Sequence, residues 1–353
     1  MKIALGIEGS RTTEDIEKLV RAGADEFFCG ILTDDWAKTY GYALSINKRF
    51  DPGTQFATFE NLKKITDKIH SLGKKIFITF NAHDYTNDQL PLLRQCLECT
   101  SELKPDAVIV TDMALLVLLK IWNLGLKIHI GGDAGSYNYR SVSFFKKLGV
   151  NRIKFPRDMT TDEMAKVIEK SKDLGMEYEA FIMDQRCPFS GVGCRSSHAF
   201  GPRDFCYQSW RKILISRLPS HTSVYSSSIA DEGNIPKISV AAARAWNENS
   251  ALYKMWTAGG SFAMSKPRDN ILRECGLCAI PKLKSIGVDS LKVVARGKSL
   301  PGKLMQLELI KRVIDNENAD SGYCMRLRDN FSICKLGYNC YYPETRGILE
   351  KEN

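Results

Sequence analysis

The sequence lacks any apolar run of the roughly 18 residues that a membrane-spanning helix requires. Its most apolar stretch, MALLVLLKIW, is too short to span a bilayer and is bounded by Asp112 and Asn123. The N-terminal MKIALGIEGS also lacks the apolar region and the small-residue cleavage site of a secretory signal. These absences argue against membrane association and predict a cytoplasmic location.

A dinucleotide fingerprint, an internal repeat and a low-complexity tract are also missing. The first predicted strand is followed by GIEGSR, which lacks the third glycine of the fingerprint that binds dinucleotide phosphates. This absence argues against an open, nucleotide-binding sheet.

The composition is that of a large globular protein with a mild excess of positive charge. The 353 residues are 44% hydrophobic, and 50 Lys and Arg stand against 41 Asp and Glu, for a net charge of +9. The core can therefore be large enough for one α/β barrel with an appendage. The charge suits RNA or an anionic metabolite without distinguishing them. The 11 cysteines point to metal binding or catalysis, because cytoplasmic thiols stay reduced.

Strand and helix patterns alternate through the first part of the chain. Apolar runs rich in β-formers are separated by helical patterns that stop at glycine or proline, as expected of buried parallel strands. The predicted strands cover residues 2–9, 26–32, 74–81, 106–112, 126–133, 151–158, 176–184 and 289–297. Eight such units predict a (β/α)8 TIM-like barrel, with an open doubly wound sheet as the alternative.

Two segments fall outside this alternation. We expect residues 1–312 to form the barrel, with a cysteine-rich insertion at about 186–280 between strands seven and eight. Residues 313–353 form a small C-terminal extension that contains three of the cysteines.

Polar residues end most of the predicted strands and should share one face of a barrel, where the chemistry of this fold lies. The candidate acid–base groups are Glu8, Asp112, Asp133 and Asp184. The candidate substrate-binding residues are Asn81, Arg157 and Arg296. The two arginines could hold a carboxylate through paired N–H donors. Helix caps and structural ion pairs are the alternative for any one of these residues.

Four cysteines have a spacing that suits a metal centre. Cys187, Cys194 and Cys206 follow the seventh strand, and Cys278 lies well downstream. Iron–sulfur clusters take four thiolates at irregular spacing, whereas structural zinc prefers paired C-x2–4-C knuckles. Cys275-x2-Cys278 has the knuckle form, and Cys96-x2-Cys99 shares its spacing but lies on a predicted helix among apolar neighbours, which favours core thiols. The spacing leaves a cluster, zinc and unliganded core thiols open.

Two blocks around these cysteines resemble the signatures of the collagenase-like peptidase family, family thirty-two of the U peptidases. The first is FIMDQRCPFSGVGCRSS followed by RDFCYQSWR. The second is LCAIPKLKSIGVDSLKVVARGKS, which aligns the family's cysteine on Cys278, its lysine on Lys292 and its arginine on Arg296. Softer matches extend the resemblance over about residues 1–312.

The resemblance implies a [4Fe–4S] cluster held by Cys187, Cys194, Cys206 and Cys278. Family members include oxygen-independent hydroxylation factors of ubiquinone synthesis and of tRNA or rRNA bases, some of which use prephenate as the hydroxyl source. We therefore expect a cluster-dependent oxidoreductase that acts on a small aromatic or anionic metabolite or on an RNA base. A protein partner subunit could complete the site.

The chain departs from the family pattern at the strand ends. Val294 replaces a glutamate, Asp184-Gln185 replaces His-Gly, and Gly132-Asp133-Ala134 replaces Ser-Thr-Gln-like text. Substrate and reaction could therefore differ from those of known members.

The remaining C-terminal thiols could hold a second cluster. Cys275, Cys324, Cys334 and Cys340 are enough for one, and buried free thiols are the alternative.

Two other functions remain open. A cysteine peptidase needs a histidine to activate its thiol, and of the five histidines only His83 and His198 fall in suitable loops. An RNA-binding or partner protein with a structural cluster could use the basic and aromatic text RSSHAFGPR and SWRKILISR.

Overall fold

Eight parallel strands close into a barrel in chain order, and the last strand pairs with the first. The computed structural model describes residues 1–41, 44–49, 52–184, 191–192, 274–328 and 340–346, all within one compact unit. The strands are β1 Lys2–Gly6, β2 Glu26–Cys29, β3 Lys75–Phe80, β4 Ala107–Val110, β5 Ile128–Ile130, β6 Val150–Lys154, β7 Glu177–Met183 and β8 Ser290–Val293. The predicted (β/α)8 barrel is confirmed, and the open sheet is wrong.

Helices connect the strands and cover the outside of the barrel. They are α1 Thr13–Arg21, α2 Asp34–Tyr40, α3 Phe59–Ser71, α4 Leu90–Glu102, α5 Met113–Trp122, α6 Tyr139–Lys147, α7 Thr161–Ser171, α8 Ile280–Ser285, α9 Leu300–Asp315 and α10 Ser321–Leu327. Within the described ranges, no helix has the length and apolar character needed to cross a membrane.

Threonine caps start several of these helices where the sequence indicates. Thr12 and Thr160 each accept a hydrogen bond from the third helical residue, whose carboxylate in turn accepts from the backbone N–H of the threonine. Gly175, in the left-handed region at φ 59°, ends the turn that follows α7.

One helix lies in a stretch that the sequence presents only as a long connection. Thr33 caps α2, and Trp36 on that helix is 1% exposed. The Trp36 indole N–H donates to the carbonyl of Leu44 at 2.8 Å. Seven residues are too few to show a helical period in the sequence. Most of the stability of this helix therefore comes from tertiary packing, here the burial of Trp36.

Strand side chains alternate between an outer and an inner core. On β2, Phe27 and Cys29 belong to the large core that includes the helices, whereas Phe28 joins a separate small cluster with three residues of neighbouring strands. Those three are Phe77, Ala107 and Ile109. This alternation is the period of two that a strand imposes.

Charged side chains fill the inside of the barrel beside this small cluster. The Arg152 guanidinium donates to both carboxylate oxygens of Glu26, at 2.6 and 2.8 Å, and to Glu179 at 3.2 Å. Lys154 also donates to Glu179, and the Lys292 ammonium lies 3.7 Å from it. Charges taken out of water are tolerated only when they are paired, so these contacts hold the barrel floor together.

Glu179 is the central anion of this network. Burial by itself raises the pKa of Glu179, but the charges of Lys154, Lys292 and Arg152 outweigh it and lower the pKa to about 2. A depressed carboxyl pKa stabilises the folded state above the unfolded pKa. That stabilisation is lost as the pH falls from about 4.5 towards 2.

We predict that Glu179→Gln lowers the free energy of unfolding at pH 7 by about 3–5 kcal/mol, because it leaves buried cations without their anion. The difference from wild type should shrink as the pH falls from 5 to about 2, where wild-type Glu179 becomes protonated. Denaturant unfolding at a series of pH values measures both effects. Glu308→Gln is the control, because Glu308 pairs with Arg312 on the exposed face of α9 and should change stability by less than about 1 kcal/mol. A pH-independent difference for Glu179→Gln would contradict this account.

Candidate functional site

Two segments that are distant in the sequence meet at the carboxyl end of β7. Met183 forms an antiparallel bridge with Cys275, and the Gly276 N–H donates to the Ile182 carbonyl at 2.8 Å. The Asp184 N–H donates to the carbonyl of Glu274 at 3.3 Å. The segment that contains Cys278 is therefore fastened to the strand that precedes Cys187 in the sequence.

The structure describes only one of the four predicted cluster ligands. Cys278 is half-buried at the start of the turn that leads into α8, with its Sγ 3.8 Å from the Ser321 carbonyl. Cys187, Cys194 and Cys206 lie outside the described residues, so the four-cysteine centre stays a prediction.

Three of the four residues assigned to a second cluster surround the same turn. The Cys275 Sγ accepts from the Leu277 N–H at 3.5 Å, and the Cys324 thiol donates to the Leu277 carbonyl at 3.4 Å. Cys340 forms a parallel backbone bridge with Cys275, whereas Cys334 lies outside the described residues. Within the described ranges, no three His, Cys, Asp or Glu side chains are arranged to hold a metal ion. The second cluster also stays a prediction.

Asp184 is a buried anchor at this junction. Its carboxylate accepts from Lys298 at 2.7 Å and from Gln306 at 2.8 Å, and its carbonyl accepts from the Tyr341 hydroxyl. Its φ of 64° lies in the left-handed region that few residues other than glycine adopt. Both carboxylate oxygens are engaged, which suits a positioning role better than proton transfer.

Glu8 is anchored in a similar way at the end of β1. It accepts from Lys303 at 2.8 Å and from the Gly297 N–H at 2.9 Å, and its other oxygen lies 2.6 Å from Arg11. Lys303 also donates to the carbonyls of Gly6 and Ala295, which fastens the ends of β1 and β8. Burial lowers the pKa of Lys303 to about 8.

Asp112 is a helix cap. Its carboxylate accepts from the N–H groups of Ala114 and Leu115 at 3.0 and 3.4 Å, at the start of α5. Burial raises the pKa of Asp112. Capping satisfies backbone donors that the first turn of α5 leaves unpaired.

Asp133 occupies the centre of a charged cluster at the barrel mouth. It accepts from Arg157 at 2.9 Å, and the Lys48 ammonium and the His83 ring lie 3.5 and 4.0 Å away. Lys48 also contacts His83 directly. All four side chains are only 11–15% exposed. An acid, an imidazole and an amine in contact are the groups that general acid–base chemistry uses.

Gly191 touches this cluster. A Cβ on Gly191 would lie 2.1 Å from the Asp133 Oδ1, closer than any real contact. Gly191 stands between Cys187 and Cys194 in the sequence, so the cysteine-bearing loop passes Asp133 at this glycine. A side chain here would displace Asp133 or the loop.

Three cations surround two phenylalanine rings next to the Asp133 cluster. The Arg157 guanidinium lies 4.1 Å from the Phe181 ring centre, and the Lys292 ammonium lies 3.9 Å from that of Phe28. Arg296 lies 5.8 Å from the Phe28 ring. Burial and the charge of Lys154 lower the pKa of Lys292 well below its usual value, and Arg296 and Arg157 add to this effect.

Arg296 has little to compensate its charge. It is 9% exposed, and its closest polar contact is the Thr79 hydroxyl at 3.5 Å. Its Nε has no hydrogen-bond partner among the described residues, and no described carboxylate pairs with it. Asn81 and Thr111 directly follow β3 and β4. The Asn81 Oδ1 and the Thr111 hydroxyl are also buried without a hydrogen-bond partner among the described residues. Such groups are expected where a ligand supplies the missing partners.

Comparison with known sequences decides the family. The profile of Peptidase family U32 matches residues 11–332, which is most of the chain. The chain belongs to Peptidase family U32. The resemblance carried by the two cysteine blocks is thereby confirmed.

Curated relatives of this U32 protein share about a quarter of its residues. It is 26% identical to tRNA hydroxylation protein P of Haemophilus influenzae over 82% of this chain and 65% of that protein. It is 25% identical to tRNA hydroxylation protein P1 of Bacillus subtilis over 87% of this chain and 62% of that protein. The chain thus spans less than two-thirds of the length of these relatives. Among solved structures, the U32 peptidase Mk0906 matches 52% of this chain and 69% of that chain, with 16% identity and a TM-score of 0.39.

Several residues of the site in this U32 protein were not found by sequence reasoning. Lys48 lies in a connection without a period, and Lys303 lies inside a helix, so neither follows a strand. Lys154 and Glu179 lie within strands, where alternation marks an inward position but not its partner. Lysines in an otherwise apolar strand are the signal that could have found the barrel floor.

We predict that Gly191→Ala destabilises the protein, because its methyl group would collide with the Asp133 carboxylate. Asp133→Ala removes that carboxylate, so the double variant should be more stable than the sum of the single effects by about 0.5–3 kcal/mol. A double-mutant cycle by denaturant unfolding measures this coupling. Additive effects would show that Gly191 and Asp133 do not touch in solution.

Proposed function

We propose that this protein is an iron–sulfur-dependent, oxygen-independent hydroxylase that acts on a base of tRNA and takes the hydroxyl group from a small anionic metabolite. The names of its U32 relatives, tRNA hydroxylation protein P and P1, support the tRNA target. The observation on which the proposal depends most is the bridge between Met183 and Cys275, which joins the strand that precedes Cys187 in the sequence to the segment that contains Cys278.

The described part of the ligand set fits a cluster. Cys278 presents a partly exposed thiol on a segment fastened to β7, and Cys187 follows the last described residue of that strand end by three positions. Cys187, Cys194, Cys206 and Cys278 would hold a [4Fe–4S] cluster, as four thiolates do in such centres. When bound, the cluster supplies one-electron transfer.

The cations beside Phe28 and Phe181 suit an anionic hydroxyl donor. Arg296 is buried without a carboxylate among the described residues, and such a charge costs several kcal/mol, so an anionic ligand beside it would offset that cost. Arg296 and Arg157 can each present paired N–H donors to a carboxylate. Lys292 adds an amine whose pKa is lowered by burial, so that it gives up a proton more readily than an exposed lysine.

The Asp133 cluster would move protons. Asp133, held by Arg157, lies beside His83 and Lys48 at the mouth, where a base could approach from solvent. A base in a duplex must leave the stack to reach such a pocket, so we expect a single-stranded or loop target. The net charge of +9 favours approach to RNA.

Two other functions have weaker support. A cysteine peptidase needs a thiol of lowered pKa. Burial instead raises the pKa of Cys29 to about 12 and that of Cys96 to about 11, and it also raises the pKa of Cys275. An RNA-binding protein with a structural cluster would bind tRNA and leave its bases unchanged.

The cluster is tested by comparing two cysteines three positions apart. After anaerobic purification, wild-type protein should contain about four irons and four sulfides per chain and give the EPR signal of a reduced [4Fe–4S] centre. Cys278→Ser should lose most of the iron, whereas Cys275→Ser should keep it. In cells without their own tRNA hydroxylation protein, mass spectrometry of tRNA nucleosides should detect hydroxylation with Cys275→Ser and not with Cys278→Ser. Wild-type protein without iron, or hydroxylation that survives Cys278→Ser, would refute the proposal.

Anion binding is tested by comparing an uncompensated arginine with a paired one. Arg296→Met removes a buried charge that has no described partner, so it should raise the melting temperature while abolishing tRNA hydroxylation. Arg152→Met breaks the pair with Glu26 and should destabilise the protein by about 3–5 kcal/mol. Thermal unfolding and nucleoside analysis measure the two effects. A destabilised Arg296→Met protein with intact hydroxylation would contradict the anion site.

A further inference from the structure

The last described segment, residues 340–346, is fastened across the end of β7. Cys340 bridges Cys275, and the Tyr341 N–H donates to the Cys275 carbonyl at 2.9 Å. The Tyr342 hydroxyl donates to the Phe181 carbonyl at 2.7 Å, and Glu344 accepts from the Thr161 N–H at 2.9 Å. Within the predicted C-terminal extension, Tyr341 and Tyr342 pack into the main core.

Tyr341 contacts the candidate site in two ways. Its hydroxyl donates to the carbonyl of Asp184, and its ring stacks on Phe181 with ring centres 6.4 Å apart and planes inclined by 8°. The side chain is 3% exposed, so both contacts are shielded from water. Burial raises the pKa of Tyr341 well above its usual value, which keeps the hydroxyl protonated as a donor.

The first contact acts on the start of the cysteine-bearing loop. Asp184 is the last described residue before Cys187, and its φ of 64° is costly for a residue with a side chain. Lys298 and Gln306 hold its carboxylate, and the Tyr341 hydroxyl holds its carbonyl. A strained conformation persists only where several contacts impose it, and Tyr341 supplies the one made to the backbone carbonyl.

The second contact acts on the anion-binding side. Phe181 contacts both the Tyr341 ring and the Arg157 guanidinium, which is 4.1 Å from the Phe181 ring centre. A Cβ on Gly132 would lie 3.1 Å from the same ring, so Phe181 has little space in which to move. A smaller side chain at position 341 would let Phe181 move and would leave Arg157 with its contact to Asp133 but without a fixed ring beside it.

We propose that Tyr341 is a positioning residue that sets the direction of the cysteine-bearing loop through the Asp184 carbonyl and the orientation of Arg157 through Phe181. The inference rests on the proposed function, since it assigns to Tyr341 the support of the cluster ligands and of the anion site. Residues 340–346 thereby support the candidate site through Asp184 and Phe181.

The two tyrosines provide a matched comparison. Tyr341→Phe and Tyr342→Phe each remove one buried hydroxyl that donates to a carbonyl of the β7 end, but only Tyr341 contacts the residue from which the loop departs. Tyr341→Leu removes the ring stacking as well. Each variant and wild type are purified anaerobically, and four quantities are measured: iron per chain, the EPR spectrum of the reduced protein, chelator resistance of the iron, and the Michaelis constant for prephenate supplied as the anionic donor.

Tyr341→Phe should lose iron to chelator about 10–100-fold faster than wild type and show altered EPR g values, with the Michaelis constant unchanged. Tyr341→Leu should show the same loss and a raised Michaelis constant, because Arg157 keeps its contact with Asp133 but loses the fixed Phe181 ring that helps to orient it. Tyr342→Phe should match wild type in all four measurements.

If Tyr341→Phe matches Tyr342→Phe in chelator resistance and spectrum while wild type holds about four irons, the inference is wrong and the proposed function stands. Wild-type protein without iron would overturn the proposed function and this inference together. Should Tyr341→Phe fail to fold, Tyr341→Leu with a wild-type spectrum and wild-type chelator resistance would also overturn it.

Discussion

The backbone bridge between Met183 and Cys275 is the contact on which the organisation of this protein depends. It joins the strand that leads towards Cys187 to the segment that contains Cys278. Hydrogen bonds from Gly276 to Ile182 and from Asp184 to Glu274 extend the pairing on both sides. A backbone ladder tolerates no register shift without losing these bonds, so the end of β7 and the segment that contains Cys278 have a defined relative position.

Charge is distributed unevenly along the barrel axis. The paired charges at one end contribute to stability, and the charge without a described partner at the other end is available to a ligand. At the floor, Arg152 and Lys154 are matched by Glu26 and Glu179 within hydrogen-bonding distance. Near the mouth, Arg296 is almost as buried but lacks a carboxylate among the described residues. Paired charges fix the closed barrel, whereas an uncompensated cation stores unfavourable free energy that an anionic ligand can release.

The polar residues at the strand ends divide into supports and reactive groups. Glu8, Asp112 and Asp184 accept hydrogen bonds that cap helices or fasten strand ends, and their carboxylate oxygens are already occupied. Asp133 instead lies in a cluster of ionisable side chains at the point where Gly191 passes. The sequence places all four at strand ends without distinguishing these roles, because hydrogen-bond partners come from distant parts of the chain. Lys303 is an example, because it donates to Glu8 from a position 295 residues later in the chain.

The sequence by itself determined the barrel, most helix starts and the family, because these follow from local periodicity, capping residues and short motifs. Apolar runs rich in β-formers placed Arg157 and Arg296 at the ends of predicted strands, and the two cysteine blocks identified the U32 family. Only the tertiary structure decided which charges neutralise one another and that Tyr341, from a tail without any period, reaches Asp184 and Phe181. Pairing of this kind depends on side chains that meet across the closed barrel, and no local pattern encodes a contact between residues so far apart in the chain.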